Sequence, residues 1–136
     1  MATYNKFQCF VEDLAEGKHN LASDTLKVAF SNASNAPPAS LDVKLADITT
    51  IAATNLGDLS LSVSSSSQTS GTYKLVLADK TMTASGAVGP FQYVIIYNDT
   101  AANDELICWY DYGSEVTLAS GDTFKLDFGD QLFSLA

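Results

Sequence analysis

What most constrains this chain is a switch in hydrophobic period. Tyr4, Phe7, Phe10, Val11 and Leu14 recur at helical spacing, with Asn5, Lys6, Glu12, Asp13 and Glu16 between them. Beyond Leu21 the period becomes two, in one short run after another. No later stretch returns to the helical period that would supply crossovers between parallel strands. The chain is therefore expected to be all-β and antiparallel, a jelly-roll-like β-sandwich with one short N-terminal α-helix. Residues 1–20 form the helical segment of a single domain covering residues 1–136.

The helix is predicted from Tyr4 to Glu16, with Thr3 as its cap and Gly17 as its end. Lys18 and His19 follow, where positive charge opposes the helix dipole. A helix this short needs its apolar stripe packed against something.

The strand pattern is clearest where apolar residues alternate with polar ones. Leu26, Val28 and Phe30 make one strand, and Leu41, Val43 and Leu45 another, separated by a loop from Ser31 to Ser40. Leu59, Leu61 and Val63 alternate with serines, and Ser65 to Gly71 reads as a polar turn region. Tyr73, Leu75 and Leu77 follow, with a short addition at Thr81 to Thr83. Phe91 to Tyr97 is apolar everywhere except Gln92, so both of its faces are expected to be buried. Leu106 to Tyr112 is a second central strand, with Trp109 on one face and Cys108 and Tyr110 on the other. Three more short strands are expected at Val116–Leu118, Phe124–Phe128 and Leu132–Leu135.

Charge narrows the function. There are 7 Lys+Arg against 16 Asp+Glu, a formal net charge of -9, and every basic residue is lysine. Scattered lysines without arginine do not make a phosphate-binding surface, so no nucleic-acid partner is expected. Acidity suits docking on a basic protein surface. Met1 is followed by Ala, Thr, Tyr and Asn rather than a basic start and an apolar run. No signal peptide and no membrane partner are therefore expected, and synthesis is placed in a cytoplasm.

No residue set assembles into a catalytic, cofactor or metal site. His19 is the sole histidine and is expected to be solvated or dipole-facing after the helix end. Cys9 and Cys108 are expected to be separate buried thiols. Asn98, Asp99, Asn103, Asp104 and Glu105 offer oxygen ligands without the spacing of a calcium loop, and read as a solvated loop. Asp122, Asp127 and Asp130 read as turn chemistry. Trp109, Tyr110, Tyr112, Tyr93 and Tyr97 read as core rather than as a sugar platform.

Several stretches resemble a family of small proteins encoded in tailed-phage and prophage genomes. They are Phe10-Val11-Glu12-Asp13-Leu14-Ala15 with His19-Asn20-Leu21 and Ser23-Asp24-Thr25-Leu26-Lys27-Val28; Ala46-Asp47-Ile48-Thr49; Gln68-Thr69-Ser70-Gly71-Thr72-Tyr73-Lys74-Leu75; and Gly89-Pro90-Phe91, Tyr97-Asn98-Asp99-Thr100 and Trp109-Tyr110-Asp111-Tyr112-Gly113. The resemblance spans nearly the whole chain in order, and none of these stretches is a catalytic motif. Where the family carries a Gly-rich stretch, this chain has Thr54-Asn55-Leu56-Gly57-Asp58, which leaves that loop's contacts open.

The resemblance implies a non-enzymatic virion structural protein, foremost a capsid decoration or cement protein on the outside of the shell. Its partner would be the major capsid protein of a tailed phage, and the chain would be a homo-oligomer, dimer or trimer. A tail or neck component and a carbohydrate-binding adhesion module are the alternatives. The contact surfaces expected are the loops Ser31 to Ser40, Thr54 to Asp58 and Asn98 to Glu105, with the residues before the helix.

Overall fold

The structure, a computed structural model, describes residues 2–37 and 44–136. Its strands are β1 (Thr3–Lys6), β2 (Leu26–Ser31), β3 (Val63–Thr69), β4 (Thr72–Leu77), β5 (Lys80–Thr83), β6 (Val88–Asn98), β7 (Leu106–Leu118), β8 (Thr123–Leu126) and β9 (Phe133–Leu135). One helix, α1, spans Cys9–Ala15. The fold is mostly β, and every strand pair is antiparallel.

The main sheet has the order β1-β7-β6-β2; β3-β4-β9 and β5-β8 form two smaller sheets. β6 and β7 are central, as their near-continuous apolar character predicts. The reason is visible in the core. Val94 and Ile96 point into a large cluster shared with Leu75, Phe124, Leu126 and Phe133 of the smaller sheets. The alternate residues Tyr93 and Ile95 enter a second cluster with Phe7, Ile48, Leu106 and Trp109 on the opposite face. Burying both faces removes the usual polar alternation.

The N-terminal helix is shorter than predicted. Thr3–Lys6 is a strand, and only Cys9–Ala15 is helical, starting from Gln8 without a side-chain cap. Tertiary pairing overrides the helical spacing. Tyr4 meets Tyr110, with ring centroids 5.6 Å apart. Phe7 packs on Trp109 at 4.6 Å, in the opposite cluster. A helix would place both rings on one side; a strand sends them to different sides. The predicted end holds. Gly17 has φ +80, its N–H donates to Leu14 O, and Lys18 N–H donates to Asp13 O. This double bond pattern closes a helix through a left-handed glycine.

The serine-rich segment is the second correction. Of the expected turn region Ser65 to Gly71 only Ser70 and Gly71 turn; Val63–Thr69 forms β3, paired with β4 in a hairpin closed by those two residues. Both turn residues have positive φ, 52° and 83°, as a tight two-residue hairpin requires. β3 is an edge strand of mainly exposed residues, so it carries no apolar alternation to reveal it. Leu59–Val63, predicted as a strand, instead touches β2 through an isolated Lys27–Ser60 bridge and two backbone bonds, and only Val63 enters β3.

Two predicted strands merge: Leu106–Leu118 is one irregular strand rather than two. Leu45 lies in a 3₁₀ turn, Leu45–Asp47, and the expected strand residues Leu41 to Val43 fall outside the described residues. The loop after β2 contains a 3₁₀ turn at Ala33–Asn35, and its end likewise falls outside them. No helix of the described residues is long and apolar enough to cross a membrane.

Candidate functional site

Two places carry chemistry that the core does not explain: a buried polar knot at the end of α1, and an apolar groove along its outer side.

The knot is built around Asn98, the last residue of β6. Its Oδ1 accepts the backbone N–H groups of Thr100 and Ala101, at 3.0 and 3.1 Å. That fixes the amide orientation and turns Nδ2 toward Asp24 Oδ2 at 2.7 Å and His19 Nδ1 at 3.0 Å. Nδ1 must therefore accept, and neutral His19 carries its proton on Nε2. His19 is not solvated, contrary to expectation. It is 6% exposed and packs on the Phe10 ring at 5.2 Å. The reason is the turn after Gly17, which folds the chain back beneath α1.

Burial holds the His19 pKa below its ordinary value, opposed by the carboxylates of Asp13, Glu105 and Asp24. Asp13 is buried too, and its Oδ1 pairs with Lys18 Nζ at 3.0 Å. His19 Nε2 and Asp13 Oδ2 are both buried without a hydrogen-bond partner. The knot joins α1, the turn before β2 and the β6–β7 connection. Its hydrogen bonds lock these segments together, and His19 also borders a depression of about 500 Å³ lined by Leu14, Leu21, Ser66, Tyr73 and Leu135.

The expected solvated acidic loop is only partly so. Asn98 and Glu105 are buried, while Asp99 faces outward and pairs with Lys27 at 3.2 Å. Asp122 and Asp127 do the turn work expected of them, accepting Ala119 N–H and Gly129 N–H at 2.8 and 2.9 Å. Among the described residues no group of three His, Cys, Asp or Glu side chains gathers as a metal cluster. Cys9 and Cys108 are far apart in role, one in α1 and one in β7, and no disulfide forms between them. Burial pushes the Cys108 thiol pKa far up, and Tyr4 shares a hydrogen bond with it.

The aromatic set is divided between faces rather than displayed. Trp109 and Tyr93 lie in the smaller cluster; Tyr110 and Tyr112 pack partly buried against the larger one. The loop at Thr54–Leu56 is also drawn in: Leu56 is buried, and Asn55 Nδ2 donates to Ala87 O at 3.0 Å.

The groove was not foreseen. Among the described residues, the exposed large apolar side chains are Tyr4, Val11 and Leu135. They come from β1, α1 and β9, and all three line one depression of about 470 Å³, floored by Phe10, Leu132 and Phe133. A second depression, of about 370 Å³, lies at the other end of β1 between Ala2, Tyr110 and Phe128.

Both strands at the groove are sheet edges: β1 ends the main sheet and β9 ends the three-stranded one. The β1 edge has a definite polarity. Phe7 N–H donates to Ile107 O, and Asn5 stands opposite Trp109 in the same phase. Alternate residues of an antiparallel strand point their backbone groups the other way. The N–H and C=O of Tyr4 and Lys6 therefore face away from β7, and no strand among the described residues pairs with them. The residues expected to make contacts before the helix end at Thr3, so Tyr4 and Lys6, which the helical spacing assigns to the helix itself, lie outside that expectation. What sequence reasoning lacked was the strand pairing that aligns them.

Comparison with protein-family models, with curated proteins and with solved structures gave no match.

Proposed function

We propose that this chain is a non-enzymatic structural protein of a tailed-phage virion that decorates and stabilises the capsid by binding across major capsid subunits. The observation that carries this reading is the groove. Exposed apolar side chains that converge on one place beside open strand edges are the mark of a protein-binding surface. The resemblance to small tailed-phage proteins supplies the setting. The net charge of -9 supports a place on the capsid exterior, away from packaged DNA.

The sheets favour a jelly-roll-like β-sandwich, because the main sheet and the smaller sheets share one large core. Such a body presents loops and edges to its neighbours while its interior stays rigid. A site spanning two or three capsid subunits exists only while they remain together, so occupancy stabilises the assembled shell by mass action. A dimer or trimer of this chain would multiply weak contacts by avidity if its symmetry matched a local axis.

The test is to mix decoration-free capsids with the purified protein, sediment them and count bound copies. Stoichiometric binding at symmetry-related sites, with raised heat resistance of the shell, is expected. Absence of co-sedimentation refutes the capsid reading, and labelled protein found only at the tail or neck replaces it with that alternative. A carbohydrate-binding module is disfavoured by the inward placement of Trp109 and Tyr93.

A further inference from the structure

We propose that the groove receives an extended segment of a different protein, added as an antiparallel or parallel strand to the open edge of β1. The inference deepens the adhesion reading and rests on its premise that the chain works by binding protein. Three observations carry it. First, Tyr4 and Lys6 present outward backbone donors and acceptors with no strand beside them among the described residues. An incoming strand satisfies these groups without disturbing the β1–β7 ladder. Second, the adjoining depression is apolar, with Val11 and Leu135 as walls, and accepts alternate side chains of the added strand. Third, the chain as a whole is acidic, with a net charge of -9, which favours a basic partner, while Lys6 is the charged side chain that lines the depression itself.

The occupant is thus defined chemically as an extended peptide whose alternate residues are apolar and whose outward positions carry Lys or Arg. A second copy of this chain is a poor occupant, because it brings a charge of -9 to a chain that already carries -9.

The probe is a pool of end-capped peptides about eight residues long, in which Val, Ile, Leu or Phe alternates with Lys or Thr. Amide exchange is read by NMR on the whole protein. The expected result is that exchange of the Tyr4 and Lys6 amides slows about tenfold or more at saturating peptide. Two variants test the geometry. Lys6→Pro removes an outward amide while sparing the bonds to β7, a substitution edge strands tolerate. Val11→Glu places charge on an exposed wall of the groove. Each is expected to weaken peptide binding about tenfold with the melting temperature nearly unchanged.

Protection elsewhere than β1, peptide binding indifferent to both variants, or no binding at all overturns the proposal. So does sedimentation equilibrium showing a dimer that both variants dissociate, since a second copy then fills the groove. The capsid experiment separates the two readings. Capsid binding that survives both variants overturns the groove and leaves the adhesion reading standing. Strand addition without any capsid binding keeps the groove and removes the capsid.

Discussion

Truncating Trp109 tests whether the main sheet is buried on both faces. Trp109 stands opposite Ile95 on β6 and opposite Asn5 on β1. It is 8% exposed, and its ring centroid lies 4.6 Å from that of Phe7. A buried tryptophan removes about 200 Å² from water, worth about 5 kcal/mol at 25 cal/mol per Å². Residual compactness of the unfolded chain lowers this, by about a quarter, to about 4 kcal/mol. Trp109→Ala is therefore expected to cost about 3–5 kcal/mol, in line with other large-to-small aromatic truncations. Urea unfolding followed by far-ultraviolet circular dichroism measures it without depending on the lost fluorophore. Phe7→Ala in the same cycle should reveal a coupling of about 1 kcal/mol between the two rings. A loss below about 1.5 kcal/mol with no coupling would refute the reasoning. It would mean that the smaller cluster is a surface patch and that β1 is not anchored through Phe7.

Two further predictions concern the backbone and the knot. Gly89 has φ +109, and a Cβ there would lie 2.6 Å from Val116 O, so Gly89→Ala should lower stability by several kcal/mol, read as a drop in melting temperature. His19 has a pKa held below that of the unfolded chain, so unfolding takes up a proton between the two values. Its contribution is complete above the unfolded value of about 6.5 and declines as pH falls below it, through the lower folded pKa. His19→Gln should flatten that part of the stability–pH curve, and an unchanged slope in urea titrations across acid pH would contradict the buried neutral imidazole.

The strands that pack on both faces were legible, and the reason is physical. Phe91 to Tyr97 and Leu106 to Tyr112 carry apolar residues at nearly every position because both clusters draw on them. Gly17 was legible as a helix end because a left-handed residue closes α1 there. β3 was hidden for the converse reason: an exposed edge strand needs backbone pairing but no apolar face, and its serines satisfy only the first. Ser70-Gly71 between Thr69 and Thr72 was the available sign of its hairpin. The knot was hidden because Asp13 and His19 look like ordinary helix-end polarity. His19 is held by Asn98, 79 residues away, which no local pattern connects to it.

β1 was misread for a reason that also bears on its role. Its four residues have the spacing of a helix and the pairing of a strand, so local preference and tertiary structure disagree there. The pairing prevails because β7 is fixed by β6 on its far side and Phe7 anchors the segment in the smaller cluster. The result is an edge strand held firmly on one side and open on the other. Proteins usually blunt such an edge with charge, proline or a covering element. Here only Lys6 serves that purpose, and α1 leaves Val11 exposed beside the edge instead of covering it. β3, the seven-residue exposed edge of the three-stranded sheet, is masked by hydroxyl side chains and carries no large apolar residue beyond half-buried Val63. β3 is protected and β1 is not. That asymmetry is what a single-sided binding strand requires, since the protected edge limits self-association while the open one keeps its hydrogen bonds for a partner.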